Sequence, residues 1–258
     1  MASPAAAGAR PRASLFGCEL DRLDMEQAVA RCLEAVAEGR YLQHIAINVA
    51  KIVSLQDDPQ MRAMVKECGL ITADGQGVVW ATRILGDPVP GRVAGIDLMD
   101  RLLEEAARRG LKVFILGARQ EVLSKAVTRL RDRHPGLIVA GHRNGYFSDR
   151  EVPEVCEEIR RSRADLLFVA ISSPRKELFL GEHGPSLGTP FVMGVGGAID
   201  VVAGVALRAP ATLQWMGLEW LFRLVQEPRR LWRRYLFTNL RFSALVARRL
   251  LSRGRARA

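Results

Sequence analysis

The chain places its most reactive-looking side chain in a glycine-flanked loop, Ala73-Asp74-Gly75-Gln76-Gly77. Gly75 and Gly77 let a backbone approach a ligand closely. The Asp74 carboxylate can either cap the helix that follows or take a proton from an attacking hydroxyl, and on the residues alone both roles stay open. A second glycine loop, Gly194-Val195-Gly196-Gly197-Ala198, offers backbone N–H groups to a phosphate or ribose, as Gly117-Ala118 does. Ile199 stands where a dinucleotide fingerprint requires its last glycine, so the second loop is not read as an NAD site.

Metal chemistry finds little support. No two aspartates are separated by one residue, and His44, His134, His142 and His183 lack ligand spacing, so no metal or other cofactor is expected. Charge for a departing phosphate must then come from arginine, whose planar fork suits phosphate oxygens, and 33 of the 38 basic residues are arginines. Cys18, Cys32, Cys68 and Cys156 stand far apart with no C-x-x-C pair, which argues against a zinc knuckle or a disulfide framework and fits a reducing cytosol.

The elements that must hold these loops follow from periodicity. Short apolar runs at Leu42–Ile47, Leu70–Thr72, Lys112–Leu116, Ile138–Ala140, Leu166–Ile171 and Phe191–Val195 read as strands. They alternate with helical spacing at Asp24–Glu38, Ile96–Arg109, Gln120–Arg133 and Asp149–Arg161. That alternation predicts an α/β, Rossmann-like fold with a largely parallel sheet, flanking helices and a C-terminal helical appendage. Ligands of such sheets bind outside the carboxyl ends of the strands, where Asn48, Asp74, Gly117 and Gly196 fall. Residues 1–14 read as a disordered tail, 15–207 as the catalytic body and 208–258 as the appendage.

The charge is localised. Of 38 basic and 28 acidic residues, positions 208–258 hold twelve arginines and only Glu219 and Glu227, so the whole excess of ten lies in the appendage and the body is neutral. Two helices are expected there, Thr212–Val225 and Arg229–Leu251, separated by Glu227-Pro228. On a helical wheel the second gathers arginines on one side and Leu231, Trp232, Tyr235 and Phe242 on the other. No apolar run is long enough to span a bilayer. Such a helix can pack on the body with its charges in solvent or lie at a membrane interface; the second reading makes this a cytoplasmic protein docked peripherally on the anionic inner face of the cell membrane, with those four residues at the headgroup level. A basic appendage also permits a nucleic-acid-binding protein, although no RNA or DNA module is recognisable and no nucleic acid is expected.

Several motifs in order carry a resemblance: the Asp74 loop; Arg92-Val93-Ala94-Gly95-Ile96-Asp97-Leu98-Met99; Gly194 to Asp200; Arg208-Ala209-Pro210; and Leu218-Glu219-Trp220-Leu221-Phe222-Arg223-Leu224 through Glu227-Pro228-Arg229-Arg230. Together they resemble the WecG/TagA/CpsF glycosyltransferases from about Leu15 to Leu240. The resemblance implies a bacterial, metal-independent, inverting enzyme that moves a sugar from a UDP-sugar to a polyprenyl-diphosphate-linked saccharide in surface-polysaccharide synthesis, such as exopolysaccharide or teichoic acid. It implies Asp74 as the base, Arg92 near the donor diphosphate or acceptor, and Arg223, Arg230 and Arg233 closing over the diphosphate. Asn48, Gly75, Gly77, Gly117, Lys176, Gly196, Gly197 and Arg208 complete the expected donor site. A homo-oligomer is a possible state. Two positions depart from the family pattern: Lys176 stands where Gln is usual, and Ala46 where some members have Thr.

Overall fold

A computed structural model describes residues 12–255. Six strands form one parallel sheet: β3 (Leu42–Ile47), β4 (Leu70–Ala73), β5 (Lys112–Gly117), β6 (Ile138–Arg143), β7 (Leu166–Ala170) and β8 (Phe191–Gly194), in the order β4-β3-β8-β7-β5-β6. The α/β, Rossmann-like fold is thus present, and all six expected strands lie within a few residues of their expected bounds.

Side chains alternate across this sheet, as the two-residue period of a strand demands. Val113, Ile115, Leu166, Phe168, Phe191 and Met193 enter one core with the buried faces of α1 (Met25–Ala37), α5 (Gly95–Arg109), α6 (Gln120–Arg133) and α9 (Ala198–Val202). Phe114, Leu116, Leu167, Val169 and Val192 face the other way, towards α7 (Val152–Ser162) and α8 (Arg175–His183). On the same side Ile45, Ile47, Ile71 and Ala73 meet α2 (Val49–Asp57), α3 (Pro59–Glu67) and α4 (Gln76–Ile84). With both faces covered, the central strands are apolar throughout.

Arg12, Ala13 and Ser14, expected in the tail, instead form strand β1 (Arg12–Leu15), paired antiparallel with β2 (Cys18–Asp21). The turn is Phe16-Gly17, both at positive φ, a hairpin geometry that Gly17 accommodates without strain. Asp21 is buried and pins the hairpin to the sheet: it accepts the Ile71 N–H at 2.8 Å and the Arg12 Nε–H at 3.1 Å, with Arg31 at 3.6 Å. The body therefore begins at or before Arg12. Residues 1–11, the rest of the expected tail, lie outside the described residues.

The appendage packs onto the body. The expected helix Thr212–Val225 is two, α10 (Ala211–Trp215) and α11 (Glu219–Gln226), because Gly217 turns between them at φ +72°. A β-carbon at Gly217 would lie 2.6 Å from Gln76 Cβ, so only glycine lets this turn sit against α4. Helix α12 (Pro228–Arg255) lies along α2 and α11. Its Phe242 is buried edge-on against Phe16, and Leu231 is buried as well. These two residues, expected at a membrane surface, are covered by protein. The apolar stripe on the wheel is largely the face that holds α12 to the body, while Phe237 and Leu240, which spoil the stripe, are exposed.

Candidate active site

Asp74 ends the β4 arm of the sheet, just past Ala73, and its N–H donates to the Ile47 carbonyl at 2.8 Å. Gly75, at φ +118°, is the N-cap of α4. Asp74 therefore does not cap the helix that follows it. Its carboxylate accepts the N–H of Gly95, the first residue of α5, so one helix N-terminus is aimed at it. A β-carbon at Gly95 would sit in ordinary contact with Ala46 Cβ and Met193 Cε at 3.6 Å and Asp74 Oδ2 at 3.9 Å, which marks Ala46 and Met193 as neighbours of the carboxylate.

Around this carboxylate lies a network of opposite charges drawn from three parts of the chain. Arg92 is 15% exposed at its side chain; it donates to Glu219 at 2.9 Å and faces Asp97 at 3.8 Å. Arg208 pairs closely with Asp97 and also donates to Gln214 at 2.9 Å. Arg223, half-exposed, approaches Glu219 at 3.4 Å. Burial raises the Asp74 carboxyl above the usual carboxylate range; Arg92, the Gly95 N–H and Arg223 pull it down, while Glu219 pushes it further up. A carboxyl raised in this way is a stronger base than an exposed aspartate, and the surrounding guanidinium groups are poised for an anionic leaving group.

The other expected residues take varied places. Asn48 N-caps α2, its Oδ1 accepting the Lys51 N–H at 3.0 Å, and lies beside Gly75. A β-carbon at Gly77 would meet Val49 Cγ2 at 3.0 Å, so a larger residue there requires the Val49 side chain to shift. Gly117 is likewise required by the fold, since at φ +134° a side chain would strike the Ala170 backbone at 2.4 Å. Gly196 and Gly197 form a partly exposed turn after β8, with Gly197 at the start of α9. Lys176 is neither solvent-facing nor unpaired: it is buried, with Nζ 3.4 Å from Glu177 Oε1. Arg233 is exposed and lies over the Trp232 ring at 5.3 Å. The side chain of Arg230 lies outside the described residues.

Sequence reasoning assigned no role to Glu219, Asp97, Lys51 or Glu177. Glu219 carried a signal, being one of only two acids in a segment with twelve arginines. Among the described residues no three His, Cys, Asp or Glu side chains gather as a metal cradle, and the four cysteines are free and buried.

A family model described as "Glycosyl transferase WecG/TagA/CpsF family" matches residues 13–256, almost the entire chain. The chain belongs to the WecG/TagA/CpsF glycosyltransferase family. A Bacillus spizizenii relative, N-acetylglucosaminyldiphosphoundecaprenol N-acetyl-beta-D-mannosaminyltransferase, is 35% identical over 179 residues, covering 69% of this chain and 68% of that protein. Membership makes this chain a glycosyltransferase of bacterial cell-surface polysaccharide synthesis. In this WecG/TagA/CpsF chain, Glu219 and Arg223 of the appendage lie in the same charged cluster as Asp74 and Arg92 of the body. The nucleic-acid reading has no comparable support.

Proposed function

We propose that this enzyme transfers a sugar from a UDP donor to a polyprenyl-diphosphate-linked saccharide, with inversion at the anomeric carbon and without a metal. The observation that carries the reading is the partly buried Asp74 carboxylate beside Arg92, Glu219 and Arg223. The acceptor hydroxyl loses its proton to Asp74 as its oxygen bonds to the anomeric carbon, and the bond from that carbon to the UDP oxygen breaks on the opposite side. One displacement of this kind inverts the centre. The electron pair leaves with UDP, whose charge Arg92, Arg208 and Arg223 neutralise. These three arginines supply the charge that a divalent ion supplies elsewhere, which supports metal independence.

The relative's name supports the substrate classes: that protein acts on N-acetylglucosaminyldiphosphoundecaprenol and transfers an N-acetylmannosaminyl group. A lipid-linked acceptor calls for docking on the inner face of the membrane. No helix among the described residues is long and apolar enough to cross a membrane. The docking surface we assign differs from the one first expected. Trp215 on α10 is 88% exposed, Met216 just after it is exposed, and so are Val225 on α11 and Trp232, Phe237 and Leu240 on α12, in a segment rich in arginines suited to anionic headgroups. Trp232 remains in this surface, Tyr235 packs edge-on against Trp220, and Leu231 and Phe242 drop out. The test is UDP release with a short-chain lipid-diphosphate saccharide in EDTA, with the linkage assigned by NMR. Sustained turnover and an inverted linkage are expected; dependence on added Mg²⁺ or a retained configuration would overturn the mechanism.

A further inference from the structure

Glu219 is the first residue of α11, and its carboxylate is divided between two guanidinium groups from different parts of the chain. Oε2 accepts from Arg92 of the body at 2.9 Å, and Oε1 accepts at 3.4 Å from Arg223, one turn further along α11. A carboxylate that bridges two arginine forks makes the contacts that a phosphoryl group makes with the same donors. The Arg92 and Glu219 side chains are 15% and 16% exposed, so solvent and salt screen this pair less than a surface pair. Asp97 engages Arg208 closely and lies 3.8 Å from Arg92. The three arginines assigned to the departing diphosphate are thus each paired with an internal carboxylate, and a phosphate oxygen takes their N–H groups only where a carboxylate gives them up.

The two acids differ in how firmly they are held. Asp97 lies in the first turn of α5, a helix fixed in the core by the fully buried Leu98, Met99, Leu102 and Leu103. Glu219 stands on a helix of eight residues whose side chains are half-buried or exposed throughout, set between the Gly217 turn at φ +72° and Glu227-Pro228. Elements with few buried apolar contacts move at the least cost. Glu219 is therefore the acid able to leave, by a change of rotamer or a small shift of α11, while Arg223 remains to meet the anion. A diphosphate brings more charge and more acceptor oxygens than one carboxylate, and two anions on the same forks repel each other strongly in a partly desolvated site. One of them must give way.

We propose that Glu219 is an internal competitor of the donor diphosphate: it holds Arg92 and Arg223 until the diphosphate displaces it, and it reclaims them as UDP departs. This inference rests on the reading that Arg92 and Arg223 bind that diphosphate. The experiment is calorimetric binding of UDP and of uridine to the full-length enzyme and to its Glu219→Gln variant, in about 0.1 M and about 0.5 M NaCl, with thermal melting of both proteins. The variant should bind UDP at least fivefold more tightly than the wild type, and uridine, which lacks the diphosphate, within about twofold. The UDP ratio should persist at the higher salt, where charges more than a few ångströms apart are screened. UDP affinity that is unchanged or weaker in the variant would overturn the inference while leaving the glycosyltransferase reading intact. So would a gain shared equally by uridine, or a gain that vanishes at the higher salt, because Glu219 would then act through the general field and not at the forks. A variant that no longer melts cooperatively near the wild-type temperature would overturn it as well, since a contact that the substrate displaces cannot be one that the fold requires. Failure of the wild type to bind UDP at all would overturn the donor reading and this inference with it.

Discussion

Phe242→Ala should loosen the appendage and, through it, the active site. Phe242 is 7% exposed and packs edge-on against Phe16, with ring centroids 6.0 Å apart. Truncating a buried phenylalanine costs about 3–5 kcal/mol, and a helix on the outside of the body relaxes more easily than a central strand, so about 3 kcal/mol is the appropriate figure. Leu231 is a second buried anchor, whereas the ion pair of Arg241 with Asp57 joins side chains 48% and 61% exposed, where solvent screens it and little stability comes from it. Losing about 3 kcal/mol raises the undocked population of α12 roughly a hundredfold. Because α12 packs on α11, which carries Glu219 and Arg223, undocking withdraws both from Arg92 and Asp74. Hydrogen exchange followed by mass spectrometry measures this directly: α12 amides should lose protection while those of β5 and β7 keep theirs, and kcat should fall with a soluble acceptor. Unchanged α12 protection, or an equal loss from Asp57→Ala, would refute the reasoning.

Three further outcomes follow from the electrostatics. Glu219 raises the Asp74 carboxyl, and a base works only when deprotonated, so Glu219→Gln should move the acid limb of the pH–rate profile to lower pH; a limb that stays or rises contradicts that coupling. Because the folded-state pKa of Asp74 is raised, the folded protein holds its proton longer than the unfolded chain, and stability falls as pH rises through that window and stays reduced above it. Asp74→Asn, whose amide oxygen can still accept the Gly95 N–H, should therefore melt at or above the wild-type temperature at pH 8, and a large drop would make Asp74 a structural residue. His44 has the opposite sign: its pKa is depressed from 6.5 to about 3, so the stability it contributes is present above pH 6.5 and is lost towards pH 3 at up to about 1.4 kcal/mol per unit. Denaturant titrations at pH 7 and 5 should show that slope, and His44→Gln should lose most of it.

The sheet was legible because its strands are apolar on both faces and bounded by glycines, as at Lys112–Gly117 and Phe191–Gly194. The β1–β2 hairpin was not, since four-residue strands and a Phe16-Gly17 turn give almost no periodic signal. Helix α12 was found, but its orientation was not: a wheel gives the apolar stripe without saying whether lipid or Phe16 covers it. In the site, Asp74, Arg92, Arg208 and Arg223 come together from motifs far apart in the chain. What stayed hidden is pairing across long sequence distances. Glu219 meets Arg92 from 127 residues away, and Lys51 reaches Glu177 from another helix. The burial of Lys176 depends on the missing side chain at Gly194, which no local pattern announces.

The central claim is that Asp74 is the base of a UDP-sugar transferase. It is tested most directly by UDP release from a UDP-N-acetylhexosamine and a short-chain lipid-diphosphate acceptor, comparing wild type with Asp74→Asn beside the UDP affinity of each. Steady turnover by the wild type, a loss on the order of 10²–10⁴ in the variant and UDP affinity within about threefold are the predicted result. Near-wild-type turnover in Asp74→Asn, with the fold and UDP binding intact, would contradict it.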